Sequence, residues 1–159
     1  MKTTFDMFME TEVPEDELIV SRTDFTGKIT YVNDTFAEIS GYKPEELIGQ
    51  PHNAIRHPDM PRSAFADLWA TVQRGDTWEG YVKNLRKDGG YYWVFARVST
   101  VIQNGEAIEY KSVREPVSRE KKIEIQNLYD KMRSEEEGTT RVVLYVKNEN
   151  IEAAEALEK

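Results

Sequence analysis

The most strand-like stretch of the chain spans residues 91–102, Tyr91-Tyr92-Trp93-Val94-Phe95-Ala96-Arg97-Val98-Ser99-Thr100-Val101-Ile102. Aromatic and β-branched side chains such as these fit the pleated surface of a sheet. Successive side chains of a strand point to opposite faces, so Tyr92 and Trp93 face opposite ways. The pattern therefore predicts a long strand. One of its faces should line a pocket, and the other should pack against a terminal helix.

Turn signals on both sides of this strand extend it into a three-stranded meander. Asp88-Gly89 precedes it and Asn104-Gly105 follows it, and both dipeptides are typical of tight hairpins. The flanking segments 77–85 and 107–115 are predicted as its neighbouring strands. In the last of these, one face carries Ile108, Tyr110, Ser112 and Arg114.

The N-terminal half supplies two more strands and the helices. Segments 18–23 and 28–32 read as strands joined by a turn at Gly27, and one-turn helices are predicted over 34–39 and 44–49. A longer helix begins at Pro61 and carries Phe65 and Trp69 on one face. This order predicts an α+β fold, a five-stranded antiparallel sheet with short helices on one face.

Both ends of the chain differ from this central part. Residues 1–17 are acidic and are predicted to form an N-terminal cap or short helix. Residues 18–116 are predicted to form the central sheet domain, and residues 117–159 a C-terminal helical extension. The extension should begin with a helix over 118–133, a contact for a partner or a second copy. A short strand over 142–146 and an acidic helix over 149–157 are predicted to follow. The predicted helix over 118–133 has a narrow apolar stripe formed by Ile125, Leu128, Tyr129 and Met132.

Composition narrows the class of function. The 159 residues carry a formal net charge of -8, which argues against a nucleic-acid partner or an anionic membrane surface. There is no cysteine, so no disulfide, thiolate metal site or cysteine adduct can form. No run of 18 apolar residues and no signal-peptide core is present, and a cytoplasmic location is the simplest expectation.

One irregular segment, His52-Asn53-Ala54-Ile55-Arg56-His57-Pro58-Asp59-Met60-Pro61, stands out between these elements. It holds both histidines, and its two prolines restrict the backbone and push the preceding residues toward extended geometry. A stiff segment of this kind presents Arg56, His57 and Asp59 in fixed directions. We therefore predict that it lines a cofactor pocket backed by the sheet.

At this point the sequence resembles PAS sensor domains over about residues 18–114, and more narrowly the FAD-binding PAS domain of bacterial aerotaxis receptors. The matching motifs are Asn33-Asp34-Thr35-Phe36, Ile39-Ser40-Gly41-Tyr42, Glu46-Leu47-Ile48-Gly49, Pro51-His52-Asn53, Arg56-His57-Pro58-Asp59-Met60-Pro61, Phe65, Trp69, Val82-Lys83-Asn84 and Tyr92-Trp93-Val94. The resemblance implies a sheet that cups non-covalently bound FAD, whose redox state reports oxygen or electron-transport status. The FAD-site positions it implies are Asn33, Arg56, His57, Asp59, Phe65, Trp69 and Asn84.

Two departures from the family bear on mechanism and partner. Aerotaxis receptors continue into a membrane anchor and a HAMP segment, which this sequence lacks. A stand-alone protein that pairs with a separate membrane chemoreceptor is expected, and a fragment of a longer receptor is the alternative. Light-sensing flavin PAS domains form a cysteine adduct, and the absence of cysteine rules this out here.

Each implied site residue also has a purely structural reading. Trp69 either stacks on the isoalloxazine ring or packs in the core, and Asn33 either contacts the flavin or caps a helix. Asn84, in an apolar strand, is harder to explain as structure because buried amides need partners. Arg56 and Asp59 either form an ion pair or contact the ligand.

His57 is open to four roles, namely hydrogen bonding to a flavin, proton relay, ligation of haem, or capping. The preferred function is a non-enzymatic redox sensor with FAD. The alternatives are a cofactor-free PAS dimerisation module, a haem-binding PAS sensor and, ranked last, a flavin reductase. No dinucleotide-binding fingerprint supports the reductase, and no metal site is predicted.

Overall fold

A five-stranded antiparallel sheet forms the centre of the computed structural model, which describes residues 9–138. The strands are β1 (Ile19–Thr23), β2 (Ile29–Val32), β3 (Trp78–Leu85), β4 (Tyr91–Gln103) and β5 (Glu106–Glu115), and they lie side by side in the order β2-β1-β5-β4-β3. The β4–β5 hairpin turns through Asn104-Gly105, both with positive φ (53° and 80°), as a two-residue turn of this type requires.

Within residues 9–138, four helices accompany the sheet, each in a segment that the sequence predicts as helical. They are α1 (Asp34–Ser40), α2 (Pro44–Leu47), α3 (Arg62–Gln73) and α4 (Arg119–Gly138), and a 3-10 helix (His52–Ile55) lies between α2 and α3. Pro61 occupies the N-cap position of α3 without a capping hydrogen bond, and Gly41 ends α1 in the left-handed conformation. The predicted α+β architecture, with a five-stranded antiparallel sheet and a C-terminal helix, is therefore confirmed.

On the outer face of the sheet, α4 packs against β3 and β4. The Trp93 and Tyr129 rings stack with centroids 6.2 Å apart, and Tyr129 Oη donates a hydrogen bond of 2.6 Å to the carbonyl oxygen of Tyr81. Ile125 is buried at the same interface, whereas Leu128 remains 48% exposed. The α4 stripe is therefore narrower than predicted.

Three other details differ from the sequence-based expectation or lie beyond the described residues. The segment after Pro51 contains a turn of 3-10 helix where irregular structure was predicted. Residues 9–17 form no helix, and this part of the cap is instead extended, with Glu10 bridged to Tyr91 at the start of β4. The predicted strand over 142–146 and helix over 149–157 lie outside the described residues.

Candidate cofactor-binding cavity

A cavity of about 250 Å³ lies between the inner face of the sheet and the chain from Pro51 to Trp69. Its walls come from every strand except β2, from the turn after β1, from the 3-10 helix and from α3. The lining residues are Ser21, Thr23, Thr26, Gly27, Pro51, His52, Asn53, Arg56, Phe65, Leu68, Trp69, Trp78, Val82, Asn84, Ala96, Val98, Tyr110, Lys111, Ser112 and Arg114.

A buried cation, Arg114 of β5, contributes to this lining. Its side chain is fixed by a 2.9 Å hydrogen bond from Nη2 to Ser21 Oγ and by the Phe36 ring, whose centroid is 4.9 Å from the guanidinium carbon. The residue is only 2% exposed, and Nη1 has no hydrogen-bond partner among residues 9–138. Burial lowers the pKa of Arg114 to about 10, so the side chain stays charged at neutral pH.

His52 is neutral beside this cation. Burial, with the positive charge of Arg114, lowers the pKa of His52 to about 3. The His52 Nε2 atom lies 2.7 Å from Arg114 Nη2. Because a guanidinium can only donate, Nε2 must accept and the ring proton must lie on Nδ1. Ser21 and His52 therefore orient Arg114 without neutralising its charge.

A second unsatisfied group is the amide of Asn84 on β3. Asn84 is 2% exposed, lines the cavity, and its Nδ2 atom has no hydrogen-bond partner in the described part of the chain. Tyr92 lies directly across the β3–β4 ladder and is fully buried, which raises the pKa of its phenol to about 12. Buried polar groups nearly always have a partner. Arg114 Nη1 and Asn84 Nδ2 are therefore two donors on cavity-lining residues that a polar ligand would satisfy, although the Asn84 amide also lies close enough to the Tyr92 phenol to lower its pKa.

An indole–phenol pair forms the aromatic side of the cavity. The Trp69 and Tyr110 ring centroids are 5.9 Å apart. Gly27 faces the indole with φ +92°, and a Cβ there would lie 3.4 Å from Trp69 Cη2. Glycine at this turn thus satisfies the backbone conformation and leaves room beside the indole.

Four of the implied site residues meet at the cavity, namely Arg56, Phe65, Trp69 and Asn84. The Arg56 guanidinium carbon lies 4.6 Å from the centroid of the Phe65 ring, so cation and ring together form one wall. The main chains of Arg56 and Asn84 are joined by an isolated β-bridge. The segment after Pro51 is thereby attached to the outer edge of β3.

Asn33, in contrast, does not line the cavity. Its side-chain oxygen accepts from the backbone nitrogens of Val20 (3.1 Å) and Phe36 (3.0 Å), and its amide donates to the Leu18 carbonyl oxygen (2.9 Å). These bonds cap α1 and join it to β1. They match the capping role that the sequence left open.

His57 and Asp59 lie on the other side of the segment. The Asp59 Oδ2 atom is 2.6 Å from Lys83 Nζ, and the His57 Nδ1 atom accepts from the Asp59 backbone nitrogen at 3.0 Å. Burial and the Lys83 charge lower the pKa of His57 to about 4. Burial alone would raise the pKa of Asp59, but the hydrogen bond and charge of Lys83 hold it below its ordinary value. Neither residue lines the cavity.

Sequence reasoning placed Arg114 on one strand face with Tyr110 and Ser112, and that shared face lines the cavity. It assigned Arg114 no role, and it placed His52 only within the irregular segment and the Pro51-His52-Asn53 motif. The sequence signal that could have identified Arg114 as a site residue is an arginine on the inner face of a strand.

Comparison with known proteins identifies the family. Residues 29–114 match the model of the PAS fold. The chain belongs to the PAS family, whose five-stranded sheet and flanking helices it shares. Among residues 9–138, no helix has both the length and the apolar character needed to cross a bilayer.

Two curated relatives are signalling proteins by name. The aerotaxis receptor of Escherichia coli (strain K12) is 44% identical over 75% of this chain, and the nitrogen fixation regulatory protein of Klebsiella pneumoniae is 28% identical over 68% of it. The matches span 24% and 22% of those proteins, so the chain corresponds to under a quarter of either. These relatives support a sensor or signalling role for the domain.

Solved structures of similar shape are light-oxygen-voltage domains. One, described in a study of a flavin analogue, has a TM-score of 0.63 and 21% identity, covering 72% of this chain and 89% of that chain. The light state of the aureochrome 1 domain has a TM-score of 0.62 and 20% identity, with 69% and 89% covered. At such identities the likeness establishes the fold alone.

Proposed function

We propose that this PAS domain is a redox sensor that binds FAD non-covalently in the cavity and passes its redox state to a signalling partner. The observation that carries the proposal is the pair of unpartnered, buried N–H groups, Arg114 Nη1 and Asn84 Nδ2, at a cavity otherwise walled by aromatic and aliphatic side chains. A planar ring system with carbonyl and ring-nitrogen acceptors along one edge would satisfy both groups.

The lining residues suit a flavin in charge and in polarity. FAD, when bound, supplies a centre that takes up and releases electrons reversibly. Arg114 holds a permanent positive charge at the cavity, where it favours an electron-rich ligand. Phe65, Trp69 and Val82 offer apolar surface for the rings, and Asn84 offers a donor and an acceptor for a polar edge.

The proposal extends to the partner. Identity of 44% to an aerotaxis receptor supports output to chemoreceptor machinery, with a membrane chemoreceptor or HAMP-type protein as the partner and a cytoplasmic site of action. A second copy of the chain is the other candidate partner. Asn33 then serves the domain by capping α1 and joining it to β1. His57 donates its backbone N–H to the Lys83 carbonyl oxygen of β3, and Asp59 pairs with Lys83 of β3 and with Arg133 of α4.

An absorption spectrum of the purified protein after incubation with FAD, oxidised and then reduced with dithionite, tests the proposal. We expect flavin bands that bleach on reduction and return in air. A colourless protein would favour the cofactor-free module. A Soret band would favour haem; His57, the histidine considered as its ligand, does not line the cavity, and His52 Nε2 is already paired with Arg114.

A matched pair of variants locates the ligand. Asn84→Ala removes the unpartnered amide, and Asn127→Ala makes the same change at an exposed position of α4. We expect N84A to weaken FAD binding by about tenfold, equivalent to one hydrogen bond of roughly 1.4 kcal/mol, and N127A to leave it unchanged. Equal affinities for both variants would place the flavin elsewhere.

A further inference from the structure

The wall segment, residues 56–65, has two faces with different neighbours. Arg56 and Phe65, at its two ends, line the cavity. Between them, Asp59, Arg62 and Ser63 contact α4 on the other side. This ten-residue segment therefore contacts the cavity at its two ends and the C-terminal helix in between.

The first of these contacts is made by Glu136, near the end of α4. Its carboxylate accepts hydrogen bonds from the backbone nitrogens of Arg62 (3.0 Å) and Ser63 (3.1 Å) and from Ser63 Oγ. These two nitrogens belong to the first turn of α3, where backbone N–H groups have no partner within the helix. The Glu136 side chain is only 17% exposed. One residue of α4 thus completes the N-terminus of the helix that carries Phe65 and Trp69.

The second contact is a charge cluster around Lys83 of β3. Its ammonium group bonds Asp59 Oδ2 at 2.6 Å and Gln126 Oε1 at 3.0 Å, and the Lys83 side chain is 9% exposed. Arg133 of α4 approaches Asp59 Oδ1 at 3.9 Å. Asp59 therefore holds the wall segment against two positive charges, one on the sheet and one on α4.

The two contacts reach the cavity over very short distances. Lys83 precedes Asn84, which lines the cavity, and the His57 backbone nitrogen donates to the Lys83 carbonyl oxygen at 3.3 Å. Any displacement of α4 that pulls on Glu136 or Asp59 must move residues adjacent to the cavity lining, because close-packed elements shift together.

We propose that Glu136 and Asp59 latch α4 to the wall segment, so that docking of α4 and the shape of the cavity form one coupled equilibrium. A ligand that prefers one shape of the wall then strengthens or weakens the docking of α4 through these two residues. Only the identity of that ligand as FAD rests on the proposed function. Coupling is reciprocal, so loosening α4 must weaken ligand binding by the same factor by which the ligand strengthens docking.

Hydrogen exchange of the ligand-free protein tests the latch with three variants. Glu136→Ala removes the carboxylate at α3. Glu135→Ala makes the same change at an exposed neighbour. Lys122→Gln breaks the ion pairs to Glu10 and Glu12 at the other end of α4, away from the wall segment.

We expect E136A to speed exchange both in residues 130–136 and in the wall segment, by roughly fivefold or more as typical couplings give. E135A should leave both regions unchanged, and K122Q should affect only the first turns of α4 and the residues near Glu10. In the same variants we expect the Kd for added FAD to rise about fivefold or more with E136A and to stay unchanged with E135A and K122Q.

Faster exchange in α4 of E136A with an unchanged wall segment would overturn the latch, as would equal effects of E136A and E135A. An unchanged FAD Kd in E136A would also overturn the coupling. If the wild-type protein takes up no FAD, the proposed function fails, while the exchange comparison still decides whether α4 and the wall segment are linked.

Discussion

Arg114 Nη2 and His52 Nε2 lie 2.7 Å apart at the cavity, a permanent cation against a neutral imidazole. The pairing requires an unprotonated Nε2, so the fold tolerates a proton on His52 poorly. This relationship makes the domain sensitive to acid at a buried position far from its surface carboxylates.

Stability should therefore fall as the pH drops below about 6.5. The folded-state pKa of His52 is lowered from 6.5 to about 3, so between these values only the unfolded chain takes up the proton. The free energy of unfolding should decrease by about 1.4 kcal/mol per pH unit from this group, and His57 adds the same trend down to about pH 4. Urea melts between pH 4.5 and 7.5 would measure it. His52→Gln, which can still accept from Arg114, should show a shallower slope, and an identical slope would contradict the assignment.

Replacement of Arg114 should shift the reduction potential of bound FAD. A fixed positive charge stabilises an added electron, so Arg114→Gln should make the potential more negative by roughly 60 mV, the one-electron equivalent of a tenfold effect. The reduction potential of Arg114→Lys should lie between those of the wild type and of R114Q. Arg97→Gln, on the outer face where the arginine pairs with Glu79, should match wild type. Spectroelectrochemical titration measures the reduction potentials. Equal potentials for R114Q and R97Q would mean that the charge of Arg114 does not act on the flavin.

Gly27 should matter for the ligand as well as for the backbone. Gly27→Ala and Gly49→Ala both put a side chain at positive φ (92° and 88°), at a cost of about 1–2 kcal/mol each in unfolding free energy. Only the new methyl at position 27 would contact Trp69, since Gly49 has nothing within 4 Å. Thermal melts should therefore give similar melting temperatures for G27A and G49A, while FAD titration should show weaker binding for G27A alone. Equal FAD affinities would mean that the indole is not a ligand contact.

Asp59 should contribute to stability whether or not FAD is present. Asp59→Asn leaves the Lys83 ammonium, 9% exposed, without its carboxylate. We expect a loss of about 1–2 kcal/mol, less than for a fully buried pair because Asp59 itself is 35% exposed. Glu79→Gln breaks an exposed ion pair with Arg97 and should cost less than about 0.5 kcal/mol. Denaturant unfolding of the ligand-free protein compares them, and a D59N effect seen only with FAD present would argue for direct ligand contact instead.

Local signals in the sequence were enough for most of the fold. The alternation in β4 and the Asp88-Gly89 and Asn104-Gly105 turns predicted the three-stranded meander, because these signals lie within the strands and loops they specify. The residues that meet at the cavity were harder to predict. Arg114 meets Ser21 and His52 across 93 and 62 positions of sequence, and such pairings depend on sheet order that no local pattern contains.

The exposure of Leu128 has a similar cause. The orientation of α4 is fixed by Trp93, Lys83 and the wall segment, and an apolar stripe on a helix does not identify its neighbours. For the same reason Asp59 could be read equally well as a ligand contact or as an ion-pair partner. The structure gives it Lys83 and Arg133 as close cations.

The alternation of a single strand has a further consequence for how such domains diversify. Lys83 and Asn84 are consecutive in β3, yet one faces α4 and the other the cavity. Substitutions on the α4 side of the strand can therefore change the packing of the helix without altering the residues that line the cavity, and the reverse holds for the cavity side. The side chains of the two surfaces can in this way vary independently at alternate positions of one strand.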